Sequence, residues 1–64
     1  MKFNGQSMLL NERISLLQLL QQNNYEILKI AVELNGDIVA KAKYADIILK
    51  DEDTLEVVSF IGGG

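Results

Sequence analysis

The 64-residue sequence contains no cysteine and no histidine. Without cysteine the chain has no disulfide, no thiolate nucleophile and no side chain that could hold a persulfide. The joint absence of cysteine and histidine also removes the usual zinc ligands and the imidazole base of most acid–base mechanisms. We therefore expect no bound metal and no catalysis by side chains, which means a protein that is not itself an enzyme.

The sequence also lacks an excess of basic residues and any long apolar run. Six basic residues stand against nine acidic ones, a formal net charge of −3, which is the wrong sign for binding along nucleic-acid phosphates. No apolar stretch approaches the roughly 20 residues that cross a bilayer, and the start of the chain lacks the apolar region of a signal peptide. We therefore predict a cytoplasmic domain that binds a basic or neutral protein and neither nucleic acid nor membrane.

Two Asn-Gly pairs are present, Asn4-Gly5 and Asn35-Gly36, and each lies between two short segments that suit β-strands. Asn-Gly is the preferred pair for a tight type I′ hairpin turn. The sequence therefore predicts β-hairpins over residues 1–10 and 30–39.

Residues 15–23, between the two hairpins, have the apolar spacing of an amphipathic helix. Four leucines of this segment fall on one helical face and glutamines line the other. Ser15 followed three residues later by Gln18 forms a capping box, and Asn23-Asn24 suits a left-handed stop. We assign the leucines to the core rather than to a groove for a partner.

Residues 55–61, with the sequence LEVVSFI, are the strongest strand signal in the chain. Apolar residues on both faces predict a strand buried inside a sheet, with Glu56 and Ser59 facing solvent at one end. The order of elements is then β-β-α-β-β-β, an α+β layout with the helix across one face of the sheet. The last three residues, 62–64, are all glycine and are expected to be mobile.

Three other features have ordinary structural interpretations. Asp51, Glu52 and Asp53 are nearly adjacent and lack the ligand spacing of a calcium loop, so they predict a solvated polar turn. Tyr44 is interpreted as a partly buried anchor. Phe60 and Ile61 differ in that one is expected to fill the core while the other lies at the surface as a docking contact.

Three segments together resemble a known family: KFNG at residues 2–5, IAVELNGDIV at 30–39 and VVSFIGGG at 57–64. In order and over the whole length they resemble the ThiS family, the sulfur carriers of thiamine biosynthesis. The resemblance implies the ubiquitin-like β-grasp fold, a mixed sheet with the last strand parallel to the first at its centre and one main helix packed on one face. Residues 1–61 would form this domain and residues 62–64 a flexible tail. Family members often have glycine where this chain has Glu52, so a turn with positive φ there would be strained.

The resemblance also implies the chemistry. A ubiquitin-activator-like adenylating enzyme of the ThiF type would join the Gly64 carboxylate to AMP, using ATP that the enzyme and not the carrier binds. Sulfur from a cysteine desulfurase or another persulfide donor would then displace AMP and leave a thiocarboxylate. Thiazole synthase of the ThiG type would take that sulfur. Gly62 and Gly63 would thread the tail into the partner's active site, while Phe60 and Ile61 are candidate partner contacts.

Two alternatives stay open. One is a sulfur carrier of another pathway, such as the molybdopterin type, or a ubiquitin-like protein modifier, since these share the glycine ending. The other is a small interaction domain whose glycine tail is incidental.

Overall fold

A computed structural model of the protein describes residues 1–60. Within these residues five strands and one α-helix follow one another in the predicted order, β-β-α-β-β-β. They are β1 Lys2–Phe3, β2 Gln6–Ser7, α1 Leu16–Gln22, β3 Ile30–Leu34, β4 Asp37–Ile38 and β5 Thr54–Ser59. Two short 3₁₀ helices, Ile27–Lys29 and Lys41–Lys43, lie in the connections.

The strands form one mixed sheet in the order β2-β1-β5-β3-β4. The last strand, β5, is central: it runs parallel to β1 and antiparallel to β3. This confirms the arrangement expected of a β-grasp domain. The strand that leads to the glycine tail is therefore held on both sides by backbone hydrogen bonds.

Both Asn-Gly pairs form the predicted turns. Asn4 and Gly5 have φ of 52° and 84°, and Asn35 and Gly36 have φ of 54° and 89°. A type I′ turn needs positive φ at both central positions, which asparagine and glycine tolerate best. The turns join β1 to β2 and β3 to β4, although β2 ends at Ser7, earlier than the predicted hairpin over residues 1–10.

The helix has the predicted caps. The Ser15 hydroxyl accepts a hydrogen bond from the Gln18 amide at 3.1 Å, and the Gln18 side-chain oxygen accepts one from the Ser15 amide at 2.9 Å. This capping box satisfies two donors that the first helical turn leaves free. Asn23 is the C-cap and Asn24 has φ of 62°, so the helix ends where predicted.

The core lies between α1 and one face of the sheet. The leucines of α1 point into it together with alternate residues of β3 and β5, which confirms their assignment to the core. Its buried side chains are Ile14, Leu16, Leu19, Leu20, Ile30, Val32, Tyr44, Leu49, Leu55 and Val57.

The prediction that β5 is buried on both faces is wrong. Leu55 and Val57 are buried, but Val58 on the opposite face is 62% exposed. The reason is that α1 covers only one side of the sheet and no element among residues 1–60 covers the other. The strand also begins at Thr54 and ends at Ser59, while Ile61 lies outside the described residues.

Tyr44 is more deeply placed than the partly buried anchor that the sequence predicts. It belongs to the fully buried core, and the Lys41 ammonium lies 5.9 Å from its ring centroid. The same ammonium donates a hydrogen bond to the Ile30 carbonyl at 2.7 Å. Burial disfavours the charged phenolate and raises the pKa of Tyr44 above its ordinary value of 10.0.

This shift predicts alkaline destabilisation. The unfolded state loses the Tyr44 proton near its ordinary pKa, whereas the folded state keeps it to higher pH. The contribution of neutral Tyr44 is therefore complete below pH about 10 and is lost as the pH rises through the raised folded pKa. Urea unfolding across this range should show a smaller fall in free energy for Tyr44→Phe than for the wild type. Tyr25→Phe, which removes the other phenol, serves as the control, and an equal fall in both variants would contradict the assignment.

Candidate functional site

The residues predicted to react lie beyond the described part of the chain. Gly62, Gly63 and Gly64, together with Ile61, are outside it. The structure describes the strand that leads to them, up to Phe60. The Phe60 amide donates a hydrogen bond to the Lys29 carbonyl at 2.7 Å, so the pairing of β5 with its neighbour continues past Ser59.

Two asparagine side chains form hydrogen bonds to β5, one at its first residue and one in its middle. The Asn35 side-chain oxygen accepts from the Thr54 amide at 2.8 Å, and the Asn4 side-chain oxygen accepts from the Val57 amide at 2.7 Å. Each replaces a backbone acceptor at the point where the neighbouring strand, β3 or β1, has ended. Sequence analysis treated these asparagines only as turn residues and missed this role. Asparagine side chains often bond to backbone groups, but the sequence does not show which distant backbone amide each of them binds.

Asp53 is the main correction to the predicted acidic turn. Asp51 and Glu52 are exposed as expected, but Asp53 is only 5% exposed. Its carboxylate accepts hydrogen bonds at 2.9 Å from the Asn35 side-chain amide and at 2.9 Å from the Lys50 backbone amide. Asp53 therefore closes the turn and fixes the start of β5.

The expected strain at Glu52 is also absent. Among the described residues, the non-glycine positions with positive φ are Asn4, Asn24 and Asn35. The turn before β5 therefore does not need positive φ at its middle position. The departure from the family pattern has no backbone cost here.

Replacing Asp53 should destabilise the fold. Asp53→Ala removes the charged acceptor of two partly buried hydrogen bonds, from the Asn35 side-chain amide and the Lys50 backbone amide, and a hydrogen bond to a charged group contributes about 1.5–3 kcal/mol. We expect a loss of that size in urea unfolding. Asp51→Ala, at an exposed carboxylate of the same turn, should change stability by less than about 0.5 kcal/mol. Similar losses in the two variants would argue against the network.

The face of the sheet opposite α1 is open among residues 1–60. Strand alternation and register place on it Lys2, Ser7, Ala31, Glu33, Ile38, Thr54, Glu56, Val58 and Phe60, which we call the open face. Three of its apolar side chains are strongly exposed: Ile38 at 76%, Val58 at 62% and Phe60 at 56%. Clustered exposed apolar residues of this kind mark interaction surfaces.

Phe60 thus lies at the surface. The other member of the predicted pair, Ile61, lies outside the described residues. Phe60 extends the row of β5 side chains on the open face, one alternate position beyond Val58.

The described residues offer neither a metal cluster nor a membrane helix. No group of three acidic side chains within residues 1–60 is arranged to hold a metal ion. In the same part of the chain, no helix has the length and apolar character needed to cross a bilayer.

Comparison with known proteins gives a consistent set of relatives. The model of the ThiS family matches residues 1–64. A thiazole synthase of Paramagnetospirillum magneticum is 39% identical over 61 residues, which are 95% of this chain and 19% of that protein. The sulfur carrier protein ThiS of Bacillus subtilis is 43% identical over 35 residues, 55% of this chain and 53% of that protein. The chain therefore spans about a fifth and about half of these two relatives.

A solved structure agrees over nearly the whole domain. The crystal structure of the thiamine biosynthesis protein ThiS from Geobacter metallireducens superimposes with a TM-score of 0.80 at 27% sequence identity. The match covers 98% of this chain and 96% of that one. The fold derived from the strand order is therefore the fold of that protein.

Proposed function

The chain belongs to the ThiS family, and we propose that it is a sulfur carrier in thiamine biosynthesis. The observation that carries the proposal is the family match over residues 1–64, which includes the glycines expected to react. The similarity to a protein named sulfur carrier protein ThiS supports it. The position of β5 supports it too, because the central strand leads directly toward those glycines.

The reacting group in this proposal is the carboxylate of Gly64. A carboxylate resists nucleophilic attack because its charge is delocalised, so it must first become a mixed anhydride. Its oxygen attacks the α-phosphorus of ATP on a partner enzyme, and pyrophosphate leaves. A persulfide then attacks the acyl carbon and AMP leaves, after which a thiol cleaves the sulfur–sulfur bond and frees the thiocarboxylate.

The remaining residues serve this chemistry without performing it. Because the sequence has no cysteine, no side chain of this protein can hold sulfane sulfur. Gly62 and Gly63 let the backbone approach the partner's active site without side-chain clashes. The protein is then a co-substrate, and ATP is bound by the partner enzyme.

Three partners follow from the proposed reaction. An adenylating enzyme of the ubiquitin-activator type supplies the activation, a cysteine desulfurase or another persulfide donor supplies the sulfur, and thiazole synthase consumes it. The last is supported by the similarity between almost the entire chain and a segment of a protein named thiazole synthase. A carrier-like segment and thiazole synthase therefore occur in one polypeptide in that relative.

Reconstitution of thiazole formation tests the proposal. The reaction mixture contains the adenylating enzyme, ATP, a persulfide donor, thiazole synthase and its small-molecule substrates, with or without this protein. The expected result is thiazole formation only when the protein is present, in proportion to its amount. An equal yield in its absence would overturn the proposal. A failure to form thiazole with this protein, in a mixture where a known carrier does support thiazole formation, would overturn it too.

A further inference from the structure

We propose that thiazole synthase pairs an extended segment of its own backbone with the free edge of β5 at Ser59, and that this pairing holds the tail for sulfur transfer. The inference rests on the proposed function, because that function supplies the enzyme. It concerns main-chain groups at the edge of a strand, whereas the open face consists of side chains.

The register of β5 with β3 decides which way the backbone groups of β5 point. The Phe60 amide donates a hydrogen bond to the Lys29 carbonyl on the β3 side. In an antiparallel pair such positions alternate with positions whose N–H and C=O point away from the neighbour. Ser59, which lies opposite Ile30, is a position of the second kind. Its two main-chain groups therefore point to the β1 side of β5.

On that side the neighbouring strand ends before it reaches Ser59. The last residue of β1 is Phe3, which pairs with Leu55. The Asn4 side-chain oxygen accepts from the next amide that points this way, that of Val57, at 2.7 Å. The chain then turns away into β2. Within the described part of the chain, neither the N–H nor the C=O of Ser59 has a hydrogen-bond partner.

The end of β5 is therefore a strand edge that another chain can reach. Ser59 is exposed, as are Val58 and Phe60 on either side of it. A row of unpaired N–H and C=O groups is a template for pairing with a second strand. Because the free groups belong to the backbone, the ligand that complements them is an extended peptide segment, which offers a C=O and an N–H in return.

The part of the chain that follows Phe60 favours the same kind of recognition. It is four residues long, and the last three are glycines. Since glycine has no side chain, an enzyme that binds these three residues can form hydrogen bonds only to their main-chain groups and to the terminal carboxylate. A strand that pairs with Ser59 can continue along an extended tail, because alternate residues direct their backbone groups to the same side. Gly64 lies five residues after Ser59, at most about 18 Å away in an extended chain.

Thiazole synthase is the enzyme that the relatives support as the occupant of this edge. In the Paramagnetospirillum magneticum protein a segment similar to 95% of this chain is part of the same polypeptide as thiazole synthase. Such a linkage raises the effective concentration of each domain near the other, which favours contacts that are weak individually. A second copy of the chain could also pair with the edge, and the experiment distinguishes the two.

Hydrogen exchange at the Ser59 amide tests the pairing without any substitution. The full chain is exchanged alone and with saturating thiazole synthase, and deuterium is located by fragmentation to single residues. The Val58 amide is the internal reference, because Val58 and Ala31 form a hydrogen-bonded pair and should be protected in both states. We expect the Ser59 amide to exchange rapidly in the free chain and at least about tenfold more slowly in the complex.

Two results of this measurement would overturn the inference. One is a Ser59 exchange rate that does not change in the complex. The other is protection of Ser59 that grows with the concentration of the chain in the absence of enzyme, since that would assign the edge to a second copy.

Ser59→Pro removes the donor at the edge and gives an independent test. Proline has no N–H, but the N–H of Ser59 has no partner among the described residues, and strand edges tolerate proline. We expect urea unfolding close to that of the wild type and binding to thiazole synthase, measured by calorimetry, that is weaker by about tenfold or more. The matched control is Ser59→Ala, which keeps the N–H and should bind within about twofold of the wild type. Wild-type affinity in the proline variant, or equal losses in both variants, would contradict the pairing.

The proposed function is checked on the same proteins through thiazole formation. Thiazole formation by the wild type, together with unchanged Ser59 exchange in the complex, would reject the strand pairing alone. No thiazole formation by the wild type, in a mixture where a known carrier supports it, would reject the proposed function and the inference with it.

Discussion

Removal of Gly64 is expected to abolish sulfur transfer and to leave the folded domain unchanged. The buried core side chains all belong to residues 14–57, and glycine has no side chain to contribute to them. Its loss should therefore not alter urea unfolding. The proposed reaction, by contrast, needs the acyl carbon of that residue next to the activating enzyme's ATP, and the shortened chain would present a displaced carboxylate.

Two further variants distinguish the need for a free Gly64 carboxylate from the need for a narrow tail that can enter the enzyme. An alanine added after Gly64 places the reactive carbonyl inside a peptide bond and should also abolish transfer. Gly63→Leu keeps the carboxylate but adds bulk where the tail enters the enzyme, so adenylation should slow without stopping. Thiazole formation measured with each variant checks these results. A normal rate from the chain that lacks Gly64 would show that the reacting group has been misassigned.

Phe60→Asp is expected to weaken binding to the adenylating enzyme by more than about tenfold. Phe60, Val58 and Ile38 are the strongly exposed apolar side chains of the open face, and a charge placed there must be desolvated on docking. Charge reversal at Asp51 and Glu52 should weaken binding only modestly and in a salt-dependent way, because charges at a rim act mainly on association rate.

The control for Phe60→Asp is Leu9→Asp. Leu9 is 83% exposed and follows β2, at the opposite edge of the sheet from β4. It should bind like the wild type if the open face is the docking surface. Calorimetry with the same enzyme measures all these variants, and equal small effects at Phe60 and in the acidic turn would place the interface elsewhere.

Local sequence signals predicted most of the fold because their physical causes are local. The Asn-Gly turns depend on positive φ at two adjacent residues, and the capping box of α1 depends on Ser15 and Gln18, three positions apart. The strand order came from the family resemblance, since hairpins and one helix are compatible with several topologies.

The missed features all depend on contacts between distant parts of the chain. The Asn4 side chain bonds to the Val57 amide across a sequence separation of 53 residues. Asp53 is buried because Asn35, in another turn, reaches its carboxylate. Val58 is exposed because α1 covers only the other side of the sheet. The sequence could not show which side is covered, because β5 has apolar residues on both faces.

The reacting end of the candidate site stays a prediction, because residues 61–64 lie outside the described part of the chain. The family resemblance implies sulfur transfer, and the absence of cysteine then excludes a side chain as the carrier, so the acyl group of Gly64 is the predicted one. The composition of the open face was not predicted, because its side chains come together only through the register of β3 with β4 and β5.

Intact mass after incubation with ATP, the adenylating enzyme, a persulfide donor and a thiol tests the central claim most directly. The mass before incubation first establishes that Gly64 carries a free carboxylate. Replacement of one oxygen by sulfur should then raise the mass by about 16 Da, and fragmentation should place the gain on Gly64. No gain in mass, or a gain located on any other residue, would contradict the account.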